Sequence, residues 1–318
     1  MGSPWNAVAR SAYASMPLSP GMRRRRRRLT PGKEGNHGSG DQPRTEGHRI
    51  ILKRTLIVTS LAFALLASAA PVGAEPALPD SIAAIGDSIT RATNACCFYG
   101  DHPSQSWSTG LNPLGPVNSH LERLISRNPT ILGDEYNDAR AGARMASADD
   151  QAGLAVSQDA DYVTILMGAN DACTSSRSTM TSVSDFRTQF ESAMTVLTNG
   201  LPDSHVFVAS IPNVRRLWSL FHDDAVARFV WRTAGICQSM LSPSNTAADR
   251  RAVYNRIAAF NSVLAEVCAA YPNCRYDGGA LFAYRFTRDQ VSRLDYFHPD
   301  LDGQAALASV TWQRSWWP

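Results

Sequence analysis

The stretch Ile82-Ala83-Ala84-Ile85-Gly86-Asp87-Ser88-Ile89-Thr90 decides the fold that we expect for this chain. Its first four residues are apolar, which predicts a short strand buried on both faces, and Gly86-Asp87-Ser88 ends that run in a tight turn. Strands of this kind are typical of a parallel sheet that is covered by helices. Ser88 is therefore expected at the carboxyl end of a strand, at a strand-to-helix turn that exposes its hydroxyl together with its own N–H.

Strand and helix patterns alternate along the rest of the chain. Short apolar runs predict strands over residues 161–168 and 205–211, and further strand candidates lie near Tyr136 and over residues 274–277. Patterns with an apolar residue at every third or fourth position predict helices over residues 117–126, 185–197, 249–270 and 303–314. Strands that alternate with helices predict the α/β fold class, with a central parallel sheet covered on both sides.

Small and polar residues follow the predicted strands, at the edge of the sheet where parallel α/β proteins bind their ligands. Gly142 comes after the second strand, and Asn170 comes after the third, within Gly168-Ala169-Asn170-Asp171. Near the C-terminus the chain reads Asp295-Tyr296-Phe297-His298. These segments and Ser88 contain the candidates for a functional site.

Acyl transfer requires a nucleophile, a base, a group that orients the base, and donors for the developing oxyanion. Ser88 is the candidate nucleophile, His298 the candidate base, and Asp295 the group that orients this base. The backbone N–H groups of Ser88 and Gly142 and the side-chain amide of Asn170 are the candidate oxyanion hole. Each residue taken alone also has a structural interpretation, as a turn serine, a surface ion pair, a conformational glycine or a helix cap.

Taken together and in this order, the four segments resemble the SGNH hydrolase family, also called GDSL esterases and lipases. Gly86-Asp87-Ser88-Ile89 matches the first block with Ile in place of Leu, and the segments around Gly142, Asn170 and His298 match the other three. The resemblance spans residues 82–311 and looks like the secreted branch found in actinobacteria. It implies a three-layer α/β/α flavodoxin-like sandwich over residues 75–318, and ester hydrolysis by a serine with no metal and no cofactor.

The resemblance implies a carboxylic-ester hydrolase, an esterase or lipase, that forms an acyl-Ser88 intermediate on a small-molecule or lipid ester. Alternatives within the family are a polysaccharide deacetylase and a phospholipase. An alternative of another class is a non-catalytic lipid- or carbohydrate-binding module on the same scaffold. The aromatic segment Leu217–Trp231 is interpreted as core packing, with an acyl-binding wall or flap as the alternative. His102, in the loop after Ser88, is the alternative base.

Residues 49–74 carry the features of a secretory signal peptide in their usual order. Basic residues precede the uncharged fifteen-residue run Leu56–Ala70, and Pro71-Val72-Gly73-Ala74 supplies small residues at the cleavage position. A transmembrane anchor is the alternative, but the run is shorter than the roughly 20 residues that span a bilayer. We therefore expect a secreted mature protein that begins near Glu75 and keeps no stable membrane anchor after cleavage.

Residues 1–48 precede this signal and contain the arginine run Arg23–Arg28 among Gly, Pro and Ser. Such a composition is typical of disorder, and a start site placed too early would also explain it. A nucleic-acid-binding segment or a twin-arginine signal is the alternative. The run lies too far from the apolar segment for a twin-arginine signal.

The formal charge divides the chain into two parts. Residues 1–74 hold 12 of the 31 Lys and Arg residues and 3 of the 28 Asp and Glu residues, so residues 75–318 retain 19 basic against 25 acidic residues. The overall charge of +3 therefore conceals a body of charge −6, and an acidic body has no counterion-release drive towards nucleic acid. With 44% hydrophobic residues, the sequence predicts one packed domain, with two small domains as the alternative, and no binding of nucleic acid.

All cysteines lie after the expected cleavage site, which suits an oxidising compartment. We predict that Cys268 pairs with Cys274 and that Cys173 pairs with Cys237. The adjacent Cys96 and Cys97 would bridge only with strain and remain unassigned. A zinc site is the alternative, but no paired C-x-x-C spacing supports it, and the adjacent aspartates of the chain lack the spacing of a calcium loop.

Overall fold

A computed structural model describes residues 75–318 of the chain. The predicted extension over residues 1–48 and the predicted signal peptide over residues 49–74 lie outside the described residues. Within residues 75–318, no helix is both long enough and apolar enough to cross a membrane.

Five parallel strands form one sheet at the centre of the described part. They are β1 (Ile82–Gly86), β2 (Glu135–Asn137), β3 (Tyr162–Leu166), β4 (His205–Val208) and β5 (Cys274–Tyr276). The two central strands β1 and β3 are buried along their whole length, as their largely apolar sequences predict.

The strand order is β2-β1-β3-β4-β5, so successive strands are added first on one side of β1 and then on the other. The register places Ile82 of β1 beside Glu135 of β2 and Tyr162 of β3. This order is that of flavodoxin-like sheets, which bind ligands at the switch point between the first and third strands. Ser88 follows β1 directly and therefore lies at this point.

Helices cover both faces of the sheet. In chain order they are α1 (His120–Ile125), α2 (Ala148–Ser157), α3 (Ala169–Ala172), α4 (Val183–Gly200), α5 (Arg215–Phe221), α6 (Ala225–Thr233), α7 (Gln238–Leu241), α8 (Ala247–Cys268), α9 (Ala280–Ala283) and α10 (Leu301–Trp312). On one face α4 packs between α2 and α8. On the other face His120 of α1 joins β3 to α10, because its ring nitrogens lie 3.0 Å from Tyr162 Oη and 2.8 Å from Thr311 Oγ1.

The predicted fold class is confirmed: the sheet is parallel, central and flanked by helices. The predicted helices correspond to α1, α4, α8 and α10, and each predicted strand is present. Helix α2 was not predicted, because its buried face consists of alanines and Gln151, which give little apolar periodicity.

The expected helix after Ser88 is absent from the structure, and this prediction was wrong. The chain instead forms consecutive turns, in which Arg91 N–H donates to Asp87 O (3.1 Å) and Thr93 N–H donates to Ser88 O (3.0 Å). Ala92 and Asn94 have φ values of 50° and 56°, which a right-handed helix does not accommodate. The turn itself still places Ser88 at the end of β1.

Candidate active site

Ser88, His298 and Asp295 form one continuous chain of hydrogen bonds. The Ser88 hydroxyl lies 2.8 Å from His298 Nε2, and His298 Nδ1 lies 2.6 Å from Asp295 Oδ2. With the proton on Nδ1 donated to the carboxylate, Nε2 is left to accept the serine proton. The structure therefore brings together the three residues that the sequence suggested for the nucleophile, the base and its orienting group.

The short loop before α10 fixes the position of Asp295. Its second carboxylate oxygen, Oδ1, accepts the backbone N–H groups of Phe297 (2.8 Å) and His298 (3.0 Å). Burial acts to raise the pKa of Asp295, but the hydrogen bonds from His298 and Asn94 outweigh it and lower this pKa below the ordinary value. Asp295 therefore stays ionised and favours the Nδ1–H tautomer of His298.

The aromatic segment Leu217–Trp231 supports this loop from behind, across helices α5 and α6. Trp231 Nε1 donates to Tyr296 O (3.1 Å), and the Phe221 ring packs edge-on against Tyr296 at 5.5 Å. Tyr296 has a φ of 56° between the two triad members, so these contacts hold a backbone geometry that a side-chain-bearing residue rarely adopts. Phe221 and Trp231 are buried, as the core-packing interpretation predicts, and Leu217 lines a pocket described below. The acyl-binding wall stays a prediction.

The end of β1 is clamped by helix α2. Gln151 accepts from Gly86 N–H through Oε1 (2.8 Å) and donates to Gly86 O through Nε2 (3.1 Å). A Cβ at position 86 would lie 2.4 Å from Thr90 Oγ1 and 2.8 Å from Leu166 O, so only glycine fits here. The close approach of the turn to β3 positions Ser88 beside the segment that carries Asn170.

Gly142 and Asn170 lie at the same edge of the sheet as Ser88. Asn170 Nδ2 donates to Ala143 O (3.0 Å), which ties the loop after β2 to the start of α3. Gly142 has a φ of 78°, a region that favours glycine, and no atom lies within 4 Å of the position that a Cβ would take. The open space over its backbone leaves room for a substrate oxygen, as an oxyanion hole requires.

Asp87, beside the nucleophile, is a fully buried carboxyl group. Its Oδ1 accepts Ile89 N–H (2.9 Å), whereas its Oδ2 has no hydrogen-bond partner among the described residues. Burial raises the pKa of Asp87 to about 7, and the nearby carboxylate of Asp171 acts in the same direction. The group is therefore protonated in mildly acidic solution and ionises near neutrality.

We expect Asp87→Asn to change how stability depends on pH. Because the folded pKa of about 7 lies above the ordinary value of 3.8, the stabilisation from this carboxyl is complete below pH 3.8 and is lost as pH rises through 7. Asparagine keeps the acceptor for Ile89 N–H and cannot ionise. Between pH 5 and 8, wild type should therefore lose on the order of 2–3 kcal/mol relative to the variant. Denaturant unfolding at each pH measures this difference, and parallel pH profiles would contradict it.

Asn94 is a site residue that the sequence analysis missed. Its Nδ2 donates to Asp295 Oδ2 (2.6 Å), the same oxygen that accepts the His298 proton. This contact joins positions that are 201 residues apart, and no local motif marks it. A long-range contact of this kind is visible only once the fold is known.

We expect Asn94→Gly to reduce kcat for ester hydrolysis about 10-fold, because it removes a hydrogen bond to a charged group. Glycine accepts the φ of 56° at this position, so the backbone is not strained. KM should change little, because Asn94 contacts the carboxylate and does not line the apolar pocket. An unchanged kcat, or a rise in KM that accounts for the whole loss, would contradict this role.

An apolar pocket lies next to these residues. Its lining includes Ile89, Ala169, Val214, Leu217, Phe286 and Phe297. Three of them are the immediate chain neighbours of Ser88, Asn170 and His298. The pocket therefore lies beside the serine, and its lining is apolar.

The other histidines face elsewhere. His102 contacts Phe98 O and Cys96 rather than Ser88. His120 is buried, which lowers its pKa to about 3, and it serves as a neutral link between layers. His205 packs against Trp316 and Trp317.

Both predicted cysteine pairs are bonded in the structure. Cys173 pairs with Cys237, which ties the segment after α3 to the start of α7, and Cys268 pairs with Cys274, which joins the end of α8 to β5. The first bond is reinforced by Ser239, whose hydroxyl donates to Ala172 O (2.7 Å). The segment that carries Asn170 is therefore fixed at its far end.

A parallel sheet of order 2-1-3-4-5 with a Ser–His–Asp chain at its carboxyl edge has the architecture of an α/β/α serine hydrolase. The sequence matches the profile of the GDSL-like Lipase/Acylhydrolase family over residues 84–306. The chain belongs to this family, and the family resemblance seen in the sequence is confirmed.

Solved structures with a similar fold include three lipolytic enzymes. The lipase Lip_vut3 from a goat rumen metagenome is 14% identical with a TM-score of 0.48, covering 74% of this chain and 98% of its own. The extracellular lipase from Streptomyces rimosus is 17% identical with a TM-score of 0.43, covering 73% and 99%. Phospholipase A1 from Streptomyces albidoflavus is 18% identical with a TM-score of 0.45, covering 74% and 99%. Among curated proteins, none matches this chain.

Proposed function

We propose that this protein is a secreted carboxylic-ester hydrolase that works through an acyl-Ser88 intermediate. The observation that carries the proposal is the hydrogen-bonded chain Ser88–His298–Asp295, with distances of 2.8 and 2.6 Å, at the switch point of the sheet. Membership of the GDSL-like lipase/acylhydrolase family supports ester hydrolysis at the general level.

In the proposed reaction, Ser88 Oγ attacks the ester carbonyl while His298 Nε2 takes its proton. The N–H groups of Ser88 and Gly142 and the amide of Asn170 donate to the oxygen that becomes negative. His298 then gives its proton to the departing alcohol, which leaves the acyl group on Ser88. A water molecule that loses its proton to the same histidine releases the acid and restores the site.

The apolar lining of the pocket supports the proposal that the pocket binds the acyl part of the ester. Val214, Leu217 and Phe286 are buried and line the pocket beside Ile89, the residue after the nucleophile. Burial of an apolar acyl chain there contributes a favourable free energy of about 25 cal/mol per Å² of apolar surface removed from water. This favours an esterase or lipase over an enzyme that selects a polar sugar.

Hydrolysis of p-nitrophenyl esters of increasing acyl length tests the proposal. Purified protein comprising residues 75–318 should release p-nitrophenol. Leu217→Trp should shift the preferred acyl-chain length towards shorter chains, because the larger ring fills the pocket. Leu114→Trp is the matched control, since this leucine is 99% exposed and does not line the pocket. A non-catalytic binding module on the same scaffold would release nothing with any ester.

We expect the exported protein to begin at or near Glu75, as in the secreted branch of actinobacterial type that we propose for this chain. The two disulfides support an oxidising, extracellular location. N-terminal sequencing of secreted material measures the cleavage point. Material that retains residues before Leu56 would contradict a cleaved signal peptide.

A further inference from the structure

The turns after Ser88 lead into a loop, residues 94–100, that closes on itself. Asn94 N–H donates to Gly100 O (2.7 Å), and Gly100 N–H donates to Asn94 Oδ1 (2.8 Å). Adjacent cysteines lie inside this loop: Cys96 is partly buried and Cys97 is exposed, and neither is in a disulfide. Cys97 has a φ of 61°, a strained conformation that persists only where its surroundings fix it.

The two thiols contact each other but differ in reactivity. Burial and the hydrogen bond with the Cys97 thiol raise the pKa of Cys96 to about 11. Cys96 therefore stays protonated at neutral pH and is a poor first nucleophile, because the thiolate is the reactive form. Cys97 faces solvent, where a small oxidant can reach it.

His102 supplies a base for the buried thiol. Its Nε2 donates to Phe98 O (3.0 Å), and the Phe98 ring packs against the imidazole at 4.6 Å. This contact puts the ring proton on Nε2, so the lone pair of Nδ1 faces Cys96 Sγ at 4.0 Å. The imidazole is thus oriented to accept the Cys96 proton.

We propose that Cys96 and Cys97 are a redox-active dithiol that closes to a vicinal disulfide by exchange with a low-molecular-weight disulfide, with His102 as the base. This inference does not depend on the proposed hydrolase function. Metal capture is a different use of such residues, but residues 75–318 contain no cluster of three Cys, His, Asp or Glu side chains arranged to hold a metal ion.

The exchange proceeds in two balanced steps. The Cys97 thiolate attacks one sulfur of the small disulfide, forms a mixed disulfide and expels one thiolate, which takes up a proton from solvent. Cys96 S–H then passes its proton to His102 Nδ1 and attacks Cys97 Sγ, which breaks the mixed disulfide. The second small thiolate leaves with the proton from His102. Two cysteine thiols are oxidised, and one small disulfide is reduced to two thiols.

The strain of the product makes this bond reversible. Disulfides usually join Cα atoms that are 4.4–6.8 Å apart, whereas adjacent residues on a trans peptide have Cα atoms about 3.8 Å apart. Strained disulfides have higher reduction potentials and are the labile ones. We therefore expect the Cys96–Cys97 bond to be reduced at thiol concentrations that leave Cys268–Cys274, with Cα atoms 5.3 Å apart, intact.

The loop also contacts the Ser–His–Asp chain. Asn94 Nδ2 donates to Asp295 Oδ2 (2.6 Å), Ser292 Oγ donates to Asn94 O (2.5 Å), and Tyr99 Oη donates to Leu294 O (2.9 Å). A change at the thiols therefore reaches the carboxylate that accepts the His298 proton.

Peptide mass spectrometry after treatment with oxidised glutathione tests the proposal. In wild type, the peptide that contains Cys96 and Cys97 should lose two hydrogens and resist alkylation. Cys96→Ser should hold a stable glutathione adduct on Cys97, whereas Cys97→Ser should leave Cys96 as a free thiol. An adduct that persists in wild type, or one that forms on Cys96 in Cys97→Ser as fast as on Cys97 in Cys96→Ser, would overturn the proposal.

The role of His102 is tested by the rate of the second step. His102→Gln should slow the conversion of mixed disulfide to vicinal disulfide at least about 10-fold, and His222→Gln, at an exposed histidine, should not. If the vicinal disulfide forms at the wild-type rate in His102→Gln, His102 is not the base for this step. If this variant does not fold, the two serine variants still decide the order of the thiols.

The connection to the Ser–His–Asp chain is tested by NMR, independently of hydrolysis. The proton shared between His298 Nδ1 and Asp295 should give a downfield resonance that shifts between the dithiol and disulfide forms. The same treatment of Cys97→Ser should leave it unchanged. An identical resonance in both forms of wild type would overturn this connection.

Discussion

Ser88→Ala and His298→Ala should each reduce kcat for ester hydrolysis by about 10⁴ to 10⁶-fold, and the double variant should be hardly slower than either. The reason is the 2.8 Å contact between Ser88 Oγ and His298 Nε2, which makes the pair one proton-transfer unit. Without His298, no base takes the proton of Ser88, and without Ser88, His298 has no nucleophile to activate. Initial rates on a soluble p-nitrophenyl ester, compared across the three variants, measure this.

Two further variants serve as comparisons. Asp295→Asn should cost less, about 10⁴-fold at most, because a misoriented imidazole still accepts the proton occasionally. His102→Ala should retain most activity, since His102 faces Cys96 and not the serine. If His102→Ala inactivates the enzyme while His298→Ala does not, the base has been assigned to the wrong histidine.

Asn170→Ala should reduce kcat about 10² to 10³-fold while KM stays nearly constant, because its amide serves charge that develops after the ester is bound. The structure adds a second reason for a large effect: Asn170 Nδ2 also donates to Ala143 O (3.0 Å) and so holds the loop that carries Gly142. One substitution therefore removes one oxyanion donor and loosens another.

A transition-state analogue separates this loss from general misfolding. Asn170→Ala should bind a boronic acid that mimics the tetrahedral oxyanion more weakly, by a factor similar to its loss in kcat. Binding of an ordinary ester in the Ser88→Ala background should be unaffected by the added change. Equal weakening for both ligands would mean that Asn170 contributes to ground-state binding instead.

Strands β1, β3 and β4 were predictable because they are short and largely apolar. A parallel strand buried on both faces needs such a run, and in β1 and β3 the only side chains with a polar atom are Tyr162 and Thr164. Strands β2 and β5 have no such run. The site segments were predictable for a related reason, since polar residues directly after buried strands meet at one edge. The chemistry of Ser88 and His298 then followed from residue type and order.

The unpredicted parts depend on contacts between distant segments. Helix α2 has a buried face of alanines around Gln151. The structural role of Gln151, which is to make two hydrogen bonds to the backbone of Gly86, is visible only in the folded protein. Asn94 meets Asp295 across 201 positions. The expected helix after Ser88 is absent because Ala92 and Asn94 take positive φ values, which are common for asparagine but uncommon for alanine.

The distance along the chain between the two ends of the proton path has a consequence for biosynthesis. Ser88 follows the first strand, whereas His298 comes 210 positions later, after the last strand. A nascent or truncated polypeptide that ends before residue 295 carries the serine but neither its base nor the carboxylate. The site therefore cannot hydrolyse an ester until the segment that carries His298 has been synthesised and has folded onto the segment that carries Ser88. For the secreted hydrolase that we propose, this delay would protect the esters of the producing cell during synthesis.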